Sequence, residues 1–305
     1  MHARRLRLHG LRWMVLALSL ECAAAHAEPS ALIGILQGPA VLVRQSTRFT
    51  LVEGAELNEG DIVETGKGSF MQIEFGDGTL LGVGEDSRLI IRPRLTALKT
   101  ATAPRVYQLE GWSKLRLPAK ADAAFGVLTP AFELDAKAGA AVMHVQPGAW
   151  AVFAETGEMR VLQRDGARAT LGLGRGQFAA LPAGSDKPAV GTRIAPDFVE
   201  GLPRNFRDAL PARGGLFAKH NVSLQPLGLV SYEDVSVWLH TEPGIRLALS
   251  RQWRGRATDK AFRAAAAANL SAHMEWERVL FPERFLPKKP PLPASAALPA
   301  SATLN

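Results

Sequence analysis

Six basic side chains in the last third of the chain form its most suggestive grouping by residue type and spacing: Arg246, Arg251, Arg254, Arg256, Lys260 and Arg263. Set on consecutive helical turns, such groups can hold anionic sugars, lipid phosphates or an acidic protein through charge-assisted hydrogen bonds. The competing reading is a solvated helix face that holds nothing.

Other chemistries find less support. Asp61 follows Gly60, and Asp77 sits between Gly76 and Gly78. Either could act as an acid or a ligand, but an Asp flanked by glycine is a turn residue first. His144, His220, His240 and His273 show neither the i, i+4 pairing nor the cysteine support of a zinc site, so no metal is expected. The run Gly172-Leu-Gly174-Arg-Gly176 lacks the spacing of a dinucleotide fingerprint and the Lys-Ser/Thr of a phosphate loop, and no cofactor is indicated. Ser46, Ser69 and Ser87 are not set in a Gly-x-Ser-x-Gly elbow. Glu110, Asp135 and Glu155 would serve a glycosidase only if two of them faced each other in space. The expectation is therefore a protein that is not an enzyme. Trp238, Trp253 and Trp276 fall on apolar helical faces and read as core.

These residues need elements to position them. Met71, Ile73 and Phe75 alternate with Gln72 and Glu74, the period of a strand buried on one face. Gly76-Asp77-Gly78 then turns the chain into a second apolar run from Leu80, which predicts a β-hairpin. From Ala31 to Pro182, short apolar runs alternate with glycine-rich turns, which predicts an antiparallel β domain, a sandwich or short solenoid, over residues 28–182. Residues 183–203 read as a linker. A smaller helical accessory region follows over 204–286, with Ser231, Glu242-Pro243 and Thr258 or Asp259 as helix starts. The Pro/Ala-rich tail 287–305 has nothing to bury and reads as disordered.

Residues 1–27 read as a cleaved signal peptide: a basic start, a short apolar core from Trp13 to Leu20, and Ala25-His26-Ala27 as the processing site. Eight apolar residues are too few to span a bilayer. Glu21 before Cys22 argues against lipidation. Cleavage would remove the only cysteine. Charge is uneven beyond the leader. Residues 28–200 hold 18 lysines and arginines against 20 acidic residues, whereas residues 201–290 hold 14 against 8, which separates two functional parts.

The order of pieces in residues 34–182 resembles the FecR domain, a periplasmic β domain associated with iron-uptake signalling. The resemblance rests on Gly34-x-x-x-Gly38 with Val41-x-Val43, and on Leu57-x-x-Gly60-Asp61-x-Val63-x-Thr65-Gly66. It continues through Ile73-x-Phe75-x-Asp77-Gly78-Thr79, Ser87-x-Leu89, Leu109-x-Gly111, Val127-x-Thr129-Pro130 and Leu173-x-x-Gly176-Gln177. Sigma-factor regulators of that family carry a cytoplasmic helical segment ahead of the domain, where this sequence reads as a leader. Gly139-Ala140 also stands where many members have Gly-Thr. The resemblance implies a non-catalytic periplasmic envelope protein, an interaction or scaffolding module with an envelope protein partner and a link to envelope signalling. The alternative is a binding module for an anionic glycan or lipid through the basic helices. Nucleic acid is set aside, because a secreted chain does not meet it.

Overall fold

The computed structural model describes residues 30–286 except 96–98, 101, 122, 165–167, 218–219 and 221. The leader and the tail 287–305 lie outside the described residues. Among those described, no helix is long and apolar enough to cross a membrane.

The strands are β1 (Ala31–Gln37), β2 (Ala40–Arg44), β3 (Thr47–Thr50), β4 (Glu56–Leu57), β5 (Ile62–Thr65) and β6 (Phe70–Phe75). Next come β7 (Leu80–Val83), β8 (Arg88–Ile91), β9 (Pro104–Leu117), β10 (Phe125–Leu128), β11 (Phe132–Ala136) and β12 (Gly139–Gln146). The last are β13 (Ala149–Thr156), β14 (Met159–Gln163), β15 (Thr170–Leu173), β16 (Phe178–Leu181), β17 (Ala189–Gly191) and β18 (Gln225–Leu229). The helices are α1 (Pro196–Glu200), α2 (Tyr232–Leu239), α3 (Pro243–Trp253), α4 (Lys260–Ala268) and α5 (Glu277–Leu280). The fold is mainly antiparallel β with a smaller helical region near the C-terminus.

Strand β9 organises the architecture by serving two sheets. Its second half pairs with β7 and β12, in a sheet ordered β4-β1-β6-β7-β9-β12-β13-β16-β17. Its first half pairs with β8 and β10, in a sheet ordered β18-β3-β2-β5-β8-β9-β10-β11-β14-β15. Among the described strands, only the β9–β10 pairing is parallel. Val106-Tyr-Gln-Leu and Leu115-Arg-Leu read as separate runs because Glu110-Gly111 parts them. Gly111 instead bends one continuous strand, at φ +97°, where a Cβ would strike Ser87. The core lies between the sheets, with Ile33, Met71, Ile73, Leu115, Met143 and Val152 of the first meeting Leu42, Val63, Leu89, Val106, Val127 and Val161 of the second.

Both outer faces are also covered. Val43, Ile62, Ile90, Tyr107 and Leu128 of the second sheet pack against Val235, Trp238, Ile245, Leu249, Trp253 and Phe262 of the helices. Ile35, Phe70, Trp112, Val142 and Phe178 of the first sheet pack against Phe198 and Phe206. This second cover changes the reading of β6: all six of its residues are buried, not one face only. Gln72 Nε2 donates to the Pro211 carbonyl at 2.9 Å, and Glu74 accepts from the backbone N–H groups of Arg213 (2.7 Å) and Gly214 (2.8 Å). Polar alternation reported the chemistry of that face but not its covering by residues 140 positions away.

Residues 183–203, read as a linker, contain β17 and α1, and Phe198 of α1 packs edge-on to Phe178. Helix starts follow the sequence closely. Ser231 and Asp234 form a reciprocal capping box on α2, Pro243 opens α3, and the Asp259 carboxylate accepts from Phe262 N–H at 2.8 Å to cap α4. Strand β18 gave no sequence signal, since Pro226 and Gly228 interrupt its short apolar run. It pairs with β3 along the edge of the second sheet.

Candidate functional site

The six basic residues divide into two sets of three. Arg246 pairs with Glu275 at 2.9 Å and donates to the Ala272 carbonyl. Arg256 donates to the Val230 carbonyl at 2.8 Å and lies over the Phe262 ring. Arg263 donates to the Leu280 carbonyl and lies over Phe281. All three act as struts that satisfy backbone carbonyls of other segments. Arg251, Arg254 and Lys260 face solvent, and no described residue pairs with them.

The signature turns are structural fittings. Asp61 is buried and bidentate to Arg44, with Nη2 at 2.6 Å, and it accepts from Asn58 N–H at 2.7 Å. Gly60, at φ +82°, permits the approach to that turn. Asp77 accepts from Thr79 N–H at 3.0 Å and from Arg105 at 2.9 Å. Partial burial raises its carboxyl, but the Thr79 bonds and the Arg105 guanidinium outweigh that and hold it below the usual range. Gly78 supplies the positive φ of the turn, while Gly76 stays outside the left-handed region.

Carboxylates do face one another across one cleft. Glu64, Arg88 and Glu110 are cross-strand neighbours on β5, β8 and β9, and they line a cleft of about 440 Å³ with Asp86 and Thr65. Arg88 occupies the space between the two glutamates: it pairs with Glu110 and lies 3.6 Å from Glu64. Burial raises the Glu64 carboxyl, although the Trp238 indole N–H at 2.7 Å and Arg88 partly oppose the shift. A guanidinium held between two carboxylates makes an ion-pair ladder across the three strands. Asp135 pairs with Arg160, and Glu155 with Lys114.

A cleft of about 760 Å³ lies at the far end of the second sheet. Asp135, Lys137, Glu158 and Arg160 supply mixed charge, and Ala136, Met159 and Leu173 supply apolar surface. Gly172 and Gly174 border it beside β15, which pairs only with β14 among the described strands. Gln163 N–H donates to the Ala169 carbonyl at 2.9 Å, which fixes the phase of that ladder. Thr170 and Gly172 therefore turn their own N–H and C=O groups toward the open edge. No sequence signal marked this edge, because strand order is a tertiary property.

Histidines sit in structural roles. The His144 ring stacks on Trp112 at 3.9 Å and 9°, and burial lowers it from 6.5 to about 4. His273 Nε2 lies 3.0 Å from the Tyr232 hydroxyl, and its ring lies 6.4 Å from that of His240. Among the described residues, no group of three or more His, Cys, Asp or Glu side chains is placed to hold a metal ion. Trp238, Trp253 and Trp276 are fully buried, as their helical spacing implied.

No family model matches the chain, and no curated protein does. Two solved structures from Parabacteroides distasonis, each provisionally described as an anti-sigma factor, are similar to it at 15% sequence identity. Their TM-scores are 0.35 and 0.37, with 43% and 46% of this chain covered. The chain spans 58% and 64% of the length of those two chains, less than two thirds of either.

Proposed function

We propose that this chain is a non-catalytic interaction module of the cell envelope, exported to the periplasm, which takes a partner segment as an added strand along β15. The observation that carries the reading is the open β15 edge beside the cleft of about 760 Å³. There the outward backbone groups of Thr170 and Gly172 offer a ladder, and the cleft offers room for alternate side chains of the incoming strand. Mixed charge along the cleft suits selective recognition of a protein segment better than capture of a uniformly charged polymer. Envelope signalling is the process that the FecR-like motif order suggests for such a module.

The test is photo-cross-linking of the full chain in living cells, with the photoreactive group at Arg168, compared with the same chain carrying Gly172→Pro. Proline at that position removes an outward donor and breaks no bond to β14. A protein adduct formed by the wild type and lost in the variant supports the reading. An adduct unchanged by the variant, or none at all, overturns it.

A second reading keeps the basic helices as a site for an anionic glycan or lipid. The solvent-facing trio Arg251, Arg254 and Lys260, with no described partner, favours it. Binding of that kind weakens steeply with salt, whereas strand addition does not.

A further inference from the structure

We propose that a separate cleft, between α3 and the second sheet, binds the carboxylate head and part of the chain of a single-chain fatty acid. The cleft is about 270 Å³, with Ile90, Pro93, Ile245, Ala248 and Leu249 as its apolar lining. Arg94, Arg251 and Gln252 stand among the lining residues as its polar groups, and Gly60 forms part of the wall. A Cβ at Gly60 would stand 3.6 Å from both the Arg94 guanidinium and the Gln252 amide, an ordinary contact, so both polar groups flank this part of the wall.

The polar groups differ in commitment. Arg94 is held by Glu59, through its carboxylate at 3.0 Å and its carbonyl at 3.2 Å. Gln252 Nε2 donates to the Gln45 carbonyl at 3.3 Å. Arg251 is left with a free guanidinium, since no described residue pairs with it. One uncommitted planar fork beside an apolar slot fits one planar carboxylate, which it can hold in bidentate fashion. The same fork can hold a phosphate monoester, so decyl phosphate is the ligand that separates the two head groups. The volume falls just below the ~300–1,000 Å³ usual for ligand pockets, which suits a single chain and excludes a two-chain lipid tail. This ligand differs in kind from a strand partner at β15, and the site lies on another part of the molecule.

The test is isothermal titration of the full chain with decanoate below its aggregation threshold, with decanol and decyl phosphate as comparison ligands. Decanoate is expected to bind about tenfold more tightly than decanol, and Arg251→Glu to abolish that preference. Ala248→Leu, which fills the slot, is expected to abolish binding of both. Arg251 is exposed, so its variant keeps the fold and remains decisive if the core variant unfolds. Equal affinity for decanoate and decanol, an unchanged affinity in Arg251→Glu, or no binding at millimolar decanoate would overturn the assignment. So would a clear preference for decyl phosphate, which would make the site one for phosphate.

Discussion

The Tyr107 hydroxyl donates a 2.6 Å hydrogen bond to Glu242 Oε2, joining the strand shared by both sheets to the residue that opens α3. Arg164 completes the arrangement, reaching the other Glu242 oxygen at 2.8 Å and the Thr129 carbonyl at 2.5 Å. Burial beside the Glu242 carboxylate pushes the Tyr107 phenol far up, which keeps it protonated as the donor to Glu242. With the apolar layer around Trp238 and Trp253, this network makes the helices part of the sheet's own packing.

Removing one member should therefore weaken the whole molecule. Tyr107→Phe is expected to cost about 1–3 kcal/mol, because a charged acceptor loses its donor. Glu242→Ala, which strands Arg164 and Tyr107 together, is expected to cost about 3 kcal/mol or more. Urea unfolding checks both. Tryptophan fluorescence and far-ultraviolet circular dichroism should also give coincident transitions; a separate early loss of helix would show that the two layers unfold independently.

Gly34 and Glu74 predict a coupled pair. A Cβ at Gly34 would fall inside the Glu74 carboxylate, which is fixed by the Arg213 and Gly214 N–H groups. Gly34→Ala should displace that carboxylate and cost about 2–4 kcal/mol. In a double-mutant cycle, Glu74→Ala should make the same substitution much cheaper. Strict additivity would mean that Gly34 is needed for some other reason.

Much of this was legible in the sequence, and the gaps have a common cause. The turn at Gly76-Asp77-Gly78, the caps at Ser231 and Asp259 and the three core tryptophans are local or periodic signals, and they stand where their chemistry puts them. What escaped was non-local. Nothing near Gln72 and Glu74 announces that residues 211–214 will cover them, and nothing near Thr170 says that β14 will be its only neighbour among the described strands. The basic set was legible as a group, but its division was not, since the carbonyls that Arg246, Arg256 and Arg263 satisfy belong to other turns.

His144 should make stability depend on pH. Its folded value of about 4 lies below the ordinary 6.5, so the unfolded chain binds the extra proton between those limits. Stability is then full above pH 6.5 and falls as pH drops toward 4. The ring is half-buried, and solvent screening limits the effect to about 1 kcal/mol. His144→Phe keeps the stack on Trp112 and should flatten this part of the stability profile in thermal unfolding. An unchanged profile would place the dependence on other groups.

The two sets of basic residues should separate cleanly by stability. Alanine at Arg246, Arg256 or Arg263 leaves a backbone carbonyl without its donor and removes packing from Glu275, Phe262 or Phe281, so each should cost about 1–3 kcal/mol. Alanine at Arg251, Arg254 and Lys260 together touches no described bond and should change stability by less than about 0.5 kcal/mol. The triple variant should instead lose salt-sensitive retention on heparin, a measure of the free positive face, while each strut variant keeps it if still folded. If the triple variant retained heparin as the wild type does, the exposed trio would be an ordinary solvated face, and the anionic-polymer reading would fail with it.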